Sequence, residues 1–262
     1  MAGNKVLNML EHMAVSLSEL PLAVMVLGGV WLLSMIGLPI IRWIWSDAAV
    51  PLGVSVGVVL QTTTVLTLMA LGAGVQPTLV AGVIIALLGW MLEFVGSHTG
   101  FPFGRYHYTK RLQPQVGEVP VLIPLAWIMM MPPSWAVATV LVPSGNVVLF
   151  SLVAGAAFAA WDLFLDPQMV GWRFWEWDQD GWYFGIPLQN LVGWFFGAAA
   201  ITFVVRLVLG SFVLPVVPLL IMYLLTWFLE SVGQLAFWNM KGSGITGLLG
   251  MGVFLVLTFT MF

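Results

Sequence analysis

Long apolar runs, nearly free of charge, recur from one end of this chain to the other. A helix needs roughly 20 such residues to cross the hydrocarbon core of a bilayer. Eight segments qualify: Pro21–Ile41, Pro51–Leu71, Pro77–Val95, Val119–Val142, Asn146–Leu165, Ile186–Leu209, Phe212–Leu229 and Ile245–Phe262. A membrane β-barrel would instead alternate apolar and polar residues over strands of about 10 residues. These runs are continuous, so the expected fold class is all-α, a polytopic integral membrane bundle of about eight transmembrane helices. Pro132-Pro133 interrupts the fourth run. A re-entrant fourth segment would leave seven spans and invert the orientation of everything after it.

Composition agrees. Of the 262 residues 61% are hydrophobic and only 7% charged, with a net charge of −3. A soluble domain carries about 25% charged residues, and this chain has too few to cover its own surface. Disorder is excluded by the same figures. Nucleic-acid binding is excluded as well, because eight scattered Lys and Arg form no basic stripe. Residues 1–20 read as an amphipathic interfacial segment without the cleavage site of a signal peptide. Residues 21–262 read as a single transmembrane domain.

Orientation follows from Lys and Arg in the loops. Arg42, Arg105, Lys110, Arg111, Arg173 and Lys241 fall on one side, and Lys5 and Arg206 on the other. The first side is expected to be cytoplasmic.

Cysteine is absent, which removes disulfides, thiolate metal sites and a Cys nucleophile. The three histidines, His12, His98 and His107, are too few for the His-rich boxes of membrane di-iron oxygenases and disfavour haem. No metal or cofactor is expected.

Two segments hold nearly all the polar chemistry, and both fall on the expected cytoplasmic side. One runs from Glu93 through His98, Arg105, Tyr106, His107 and Tyr108 to Glu118. The other runs from Asp162 and Asp166 through Trp172, Glu176, Asp178, Asp180 and Tyr183 to Asn190. Glu93 and Asp162 lie inside apolar helices, where a carboxylate costs about 2.5–3.5 kcal/mol at the centre of a span. An acid kept neutral in such surroundings is suited to donate a proton. The plainer reading is that each carboxyl bonds a neighbouring helix or pairs with Arg105 or Arg173.

Asp162 and Asp166 are one turn apart and share a helix face. Two such carboxyls can hold Mg²⁺ or divide into an acid and a base. Alternatively Asp166 only ends the helix before Pro167. Asp166, nearer water at that end, is the candidate base or water holder. His98, Arg105 and His107 are candidates to orient or tune the acids, although single interfacial histidines are often structural. Trp90, Phe101, Phe103, Trp161 and Trp172 flank the carboxyls and are candidate pocket walls, as are Tyr106, Tyr108, Tyr183 and Asn190. Any one of these aromatics could equally be packing or an interfacial belt residue. Glu176, Asp178 and Asp180 read as a solvated loop.

Four stretches within residues 76–230 carry a resemblance: LEFVGSHTGFPFGRYHYT, GEVPVLIPLAWIMMMPP, WDLFLDPQMV and GWYFGIPLQNLVGWF. Together they resemble the carotenoid hydratase family, the CruF-type enzymes that include bisanhydrobacterioruberin hydratases and those acting on γ-carotene or lycopene ends. The resemblance implies a hydro-lyase of carotenoid biosynthesis. It would add water to the terminal double bond of an acyclic carotenoid and leave a tertiary alcohol. Its partners would be that carotenoid, the lipid bilayer and other enzymes of the same pathway. The roles given above to individual residues come from the residues themselves, not from the family.

The chemistry suits the composition. Protonating a trisubstituted alkene leaves a tertiary cation that water captures, which needs an acid, a held water and aromatic faces. It requires neither Cys nor a redox group. The competing reading is a Mg²⁺-dependent intramembrane prenyltransferase built on Asp162-x-x-x-Asp166, but no second Asp-rich motif accompanies that pair. A retinal protein would need a Lys within a span, and Lys5, Lys110 and Lys241 all fall outside the eight segments. A transporter would be expected to show internal repeats, and none is evident.

Overall fold

The computed structural model describes residues 18–143 and 145–261. The expected N-terminal interfacial segment therefore lies almost wholly outside the described residues. Eight helices among the described residues are long and apolar enough to cross a membrane. They are α1 (Leu22–Trp45), α2 (Val50–Ala73), α3 (Val75–Thr99), α4 (Leu122–Leu141), α5 (Val147–Gly171), α6 (Leu188–Leu209), α7 (Val216–Val232, extended to a full span by the π-helical Gly233–Phe237) and α8 (Lys241–Met261). The protein is an all-α, multi-pass membrane bundle.

The centre of the bundle is α4. It packs against α2, α3, α5, α7 and α8, and 78% of its apolar window is buried inside the protein. Pro132 and Pro133 sit within this continuous helix, so the fourth segment is not re-entrant. Each proline forfeits an i→i−4 hydrogen bond. Surrounding helices enclose the segment and keep it helical, which a soluble helix end could not rely on.

The fifth span is also corrected. The sequence suggests a stop at Asp166-Pro167, but α5 continues to Gly171. Pro167 leaves the Leu163 carbonyl without its intrahelical donor. The Tyr183 hydroxyl supplies one instead, donating to Leu163 O at 2.7 Å. Asp166 is therefore an internal helix residue, not a terminal one near water. The Asn146 side chain caps the start of α5 by accepting from Leu149 N at 3.0 Å.

Small residues set how closely α5 and α6 approach. A Cβ at Gly155 would lie 2.6 Å from the Phe195 carbonyl oxygen and 2.9 Å from Ala199, the kind of small-residue contact by which membrane helices pack.

Outside the bundle, two short ribbons organise the polar loops. β1 (Tyr106–Tyr108) pairs antiparallel with β4 (Trp175–Trp177), with Tyr106 opposite Trp177, His107 opposite Glu176 and Tyr108 opposite Trp175. β2 (Gln115–Val116) pairs with β3 (Val119–Pro120). The first ribbon joins the α3–α4 loop to the α5–α6 loop, so both polar segments meet at one end of the bundle.

Candidate active site

The β1–β4 ribbon has two faces because side chains alternate along a strand. Tyr106 and Tyr108 from β1, and Trp175 and Trp177 from β4, point toward the bundle. His107 and Glu176 point away. The inward aromatics pack edge to face or tilted, with ring centroids 5.1 Å apart for Tyr106–Trp177 and 5.8 Å for Tyr108–Trp175.

Each strand holds one buried carboxyl. The Tyr106 and Tyr108 hydroxyls both donate to Glu93 Oε2 on α3, the latter at 2.8 Å. Trp127 on α4 donates to Glu93 Oε1 at 3.2 Å. From β4, Trp175 donates to Asp166 Oδ1 at 2.6 Å, and Trp177 reaches the same oxygen at 3.4 Å. Asn190 on α6 donates to Asp166 Oδ2 at 2.6 Å and to Asp162 Oδ2 at 2.8 Å. Glu93 and Asp166 are each 2% exposed and Asp162 is fully buried. Burial, with the Glu93 carboxyl beside them, holds both tyrosines well above the ordinary phenol range, so they stay O–H donors.

These groups open on one cavity, with about 960 Å³ of empty space including its mouth. Glu93, Asp166, Asn190, Tyr106 and Tyr108 line it, together with Trp161, Trp175, Trp177 and Trp194. Gln61, Gln168, Thr226 and Glu230 also line it, and the rest of the wall is apolar, including Met35, Leu38, Val58, Ile123, Met129 and Leu165. Beneath the carboxyls lies an aromatic stack. Trp194 stacks on Trp127 with centroids 5.0 Å apart and on Phe158 at 5.4 Å, while Trp161 meets it edge-on. The Trp161 indole N–H and Asp162 Oδ1 are buried and have no partner among the described residues.

The residues singled out from sequence divide into two groups. Glu93, Asp166, Tyr106, Tyr108, Trp161 and Asn190 meet at the cavity, with Asp162 behind the wall and tied to Asp166 through Asn190. The others lie elsewhere. His98 bonds the Phe94 carbonyl at 2.8 Å at the exposed end of α3. The imidazole of His107 bonds Asp178 at 2.9 Å on the outer face of the ribbon. Arg105 and Arg173 pair with none of the buried carboxyls; Arg173 bonds Glu176 at 3.1 Å.

Among the aromatics, Phe101 is 71% exposed. Phe103 is wedged between helices, since a Cβ at Gly96 or Gly193 would strike its ring. The Trp90 indole bonds Val116 O at 3.1 Å, and Trp172 packs edge-on against Trp238. Tyr183 serves the Leu163 carbonyl, as described above.

Sequence reasoning missed Trp127, Trp175, Trp177, Trp194 and Glu230. The alternating Tyr-His-Tyr and Trp-Glu-Trp triplets were the available strand signal. Glu230 escaped because the seventh run was ended at Leu229, whereas α7 continues to Val232 and buries it.

Residues 53–255, reaching from α2 into α8, match the family described as carotenoid biosynthesis protein. The chain belongs to that family. A carotenoid biosynthesis role follows. Within similar proteins, a bisanhydrobacterioruberin hydratase from Haloarcula japonica is 32% identical over 136 residues, covering 48% of this chain and 45% of that relative. The chain thus matches a little under half the length of this curated relative. No solved structure matches the chain.

The prenyltransferase reading gains no second carboxylate pair at this site. No cluster of three or more His, Asp or Glu among the described residues is arranged to hold a metal ion.

Proposed function

We propose that this member of the carotenoid biosynthesis family is a hydratase that adds water to the terminal double bond of an acyclic carotenoid end. The observation that carries this reading is the pairing of Glu93 and Asp166 in one apolar, tryptophan-walled cavity. The hydratase activity for which the Haloarcula japonica relative is named supports it.

The proton is delivered from the Glu93 end, where the two tyrosines hold the carboxyl in place. It bonds to the less substituted alkene carbon, and the tertiary carbon becomes cationic. The faces of Trp161, Trp175, Trp177 and Trp194 are available to stabilise that charge. Water held at Asp166 attacks the cation, forming the C–O bond, and its proton passes to the Asp166 side. Asp162, linked through Asn190, shares that load. The proton left on the Asp166 side returns to Glu93 before the next turnover, so the net change is one water added, with no electrons gained or lost.

The test is conversion of lycopene by the purified full chain in detergent, in ¹⁸O-labelled water, under anaerobic conditions with chelator. The expected product gains one labelled water per hydrated end. A new hydroxyl without the label, activity that appears only when O₂ is admitted, loss of activity with chelator, or no product at all would end this reading.

A further inference from the structure

Besides Glu93 and Asp166, a third buried carboxyl faces the same cavity and takes no part in the arrangement above. Glu230 on α7 is 8% exposed and lines the cavity wall. No described residue donates a hydrogen bond to it or pairs with it. A buried carboxyl left this way is expensive, which points to a group that arrives with the ligand.

Its surroundings define that group. Thr226, one turn before Glu230 on α7, spends its proton on the Met222 carbonyl at 2.9 Å. It can then only accept, which turns the Gln61 amide nitrogen toward it at 3.0 Å. The Gln61 amide oxygen is left without a donor among the described residues. Gln61, Thr226 and Glu230 all line the cavity. They come from α2 and α7, whereas Glu93, Asp162 and Asp166 come from α3 and α5. Met35, Leu38, Val54, Val58 and Met129 supply apolar wall in the same cavity. The Gln61 amide oxygen only accepts, and the Glu230 carboxyl keeps a free acceptor oxygen whether or not it is protonated, so an O–H donor fits both.

We propose that Glu230 and the Gln61 amide oxygen form a second polar subsite, which binds an O–H group: the alcohol of a hydroxylated carotenoid end, or a water that replenishes the one held at Asp166. This rests on the hydratase reading for its reaction. The subsite itself is read out by binding.

The experiment uses the full chain in detergent with two probes, lycopene and lycopene carrying one terminal tertiary hydroxyl. Binding is followed by quenching of the cavity tryptophans, and turnover by mass spectrometry. If the O–H belongs to the carotenoid, the wild type binds the hydroxylated probe at least tenfold more tightly. Glu230→Leu and Gln61→Leu bring that ratio near one, and Glu230→Gln, which keeps an acceptor oxygen, retains most of it. If the O–H is water, the wild type shows no preference, but Glu230→Leu lowers hydration kcat at least tenfold at unchanged Kd and Glu230→Gln lowers it less. Leucine variants that change neither the binding ratio nor kcat by more than threefold overturn the subsite. Leucine and glutamine variants that lose affinity for both probes alike also overturn it, since Glu230 would then be structural. A wild type that binds both probes and hydrates neither fails the hydratase reading. The binding ratio then still decides the subsite.

Discussion

Glu93 and Asp166 are surrounded by groups that can be altered one at a time, which makes their roles separable. Glu93→Gln and Asp166→Asn keep shape and remove a proton or a charge. General acid–base catalysis contributes about 10²–10⁴-fold, so each change should lower carotenoid turnover at least about 100-fold while the protein elutes as a folded monodisperse species. Asp162→Asn should cost less, because Asp162 acts through Asn190 and does not face the cavity. Asp180→Asn, on the exposed part of the α5–α6 loop, should change turnover less than tenfold. Near-normal rates in both Glu93→Gln and Asp166→Asn would remove these residues from the mechanism. Glu93 was conspicuous in the sequence because a charge within an apolar run is costly, and Asp166 stood out by its one-turn spacing from Asp162. The tryptophans that hold them were not, since a chain with 14 Trp offers no local sign of which indole N–H meets a carboxylate. Glu230 was hidden by a helix end misplaced by only a few residues.

At the scale of elements, the spans were readable from length and hydropathy, because the bilayer requires both of any crossing helix. The ribbon was not. Strands of three residues have no stability of their own, and β1 and β4 are held by what their aromatics touch on α3 and α5. Pro132-Pro133 left a seven-span alternative open for a related reason, since packing decided the conformation there against local preference. The ribbon can be tested cheaply because the chain has no cysteine. His107 and Glu176 are direct cross-strand partners on the outer face, where opposed Cβ atoms lie about 4.5–5.5 Å apart. The double variant His107→Cys, Glu176→Cys should form a disulfide on mild oxidation. Proteolysis and mass spectrometry would then find the two loop peptides joined, and separating on reduction. Failure to crosslink under conditions that oxidise a control pair would mean that the loops do not pair in this register.

For the whole molecule, the eight helices force an alternation that the loops obey. The ends of α1, α3, α5 and α7 share one face with the starts of α2, α4, α6 and α8, and this is the face where the ribbon and the cavity carboxyls lie. It carries Arg42, Arg105, Lys110, Arg111, Arg173 and Lys241. Arg206 lies toward the opposite end, with its guanidinium over the rings of Phe150 and Phe212. An excess of Lys and Arg in short loops marks the cytoplasmic side, so the cavity carboxyls should lie toward the cytoplasm. Single cysteines decide this directly. Asp180→Cys sits in the exposed α5–α6 loop and Ser211→Cys in the exposed α6–α7 loop, on opposite faces. In intact cells an impermeant maleimide should label Ser211→Cys and spare Asp180→Cys. In inverted membrane vesicles the pattern should reverse. The opposite result would place the carboxyl end of the cavity outside the cell, and labelling of both from one side would contradict the single crossing of α6 between the two loops.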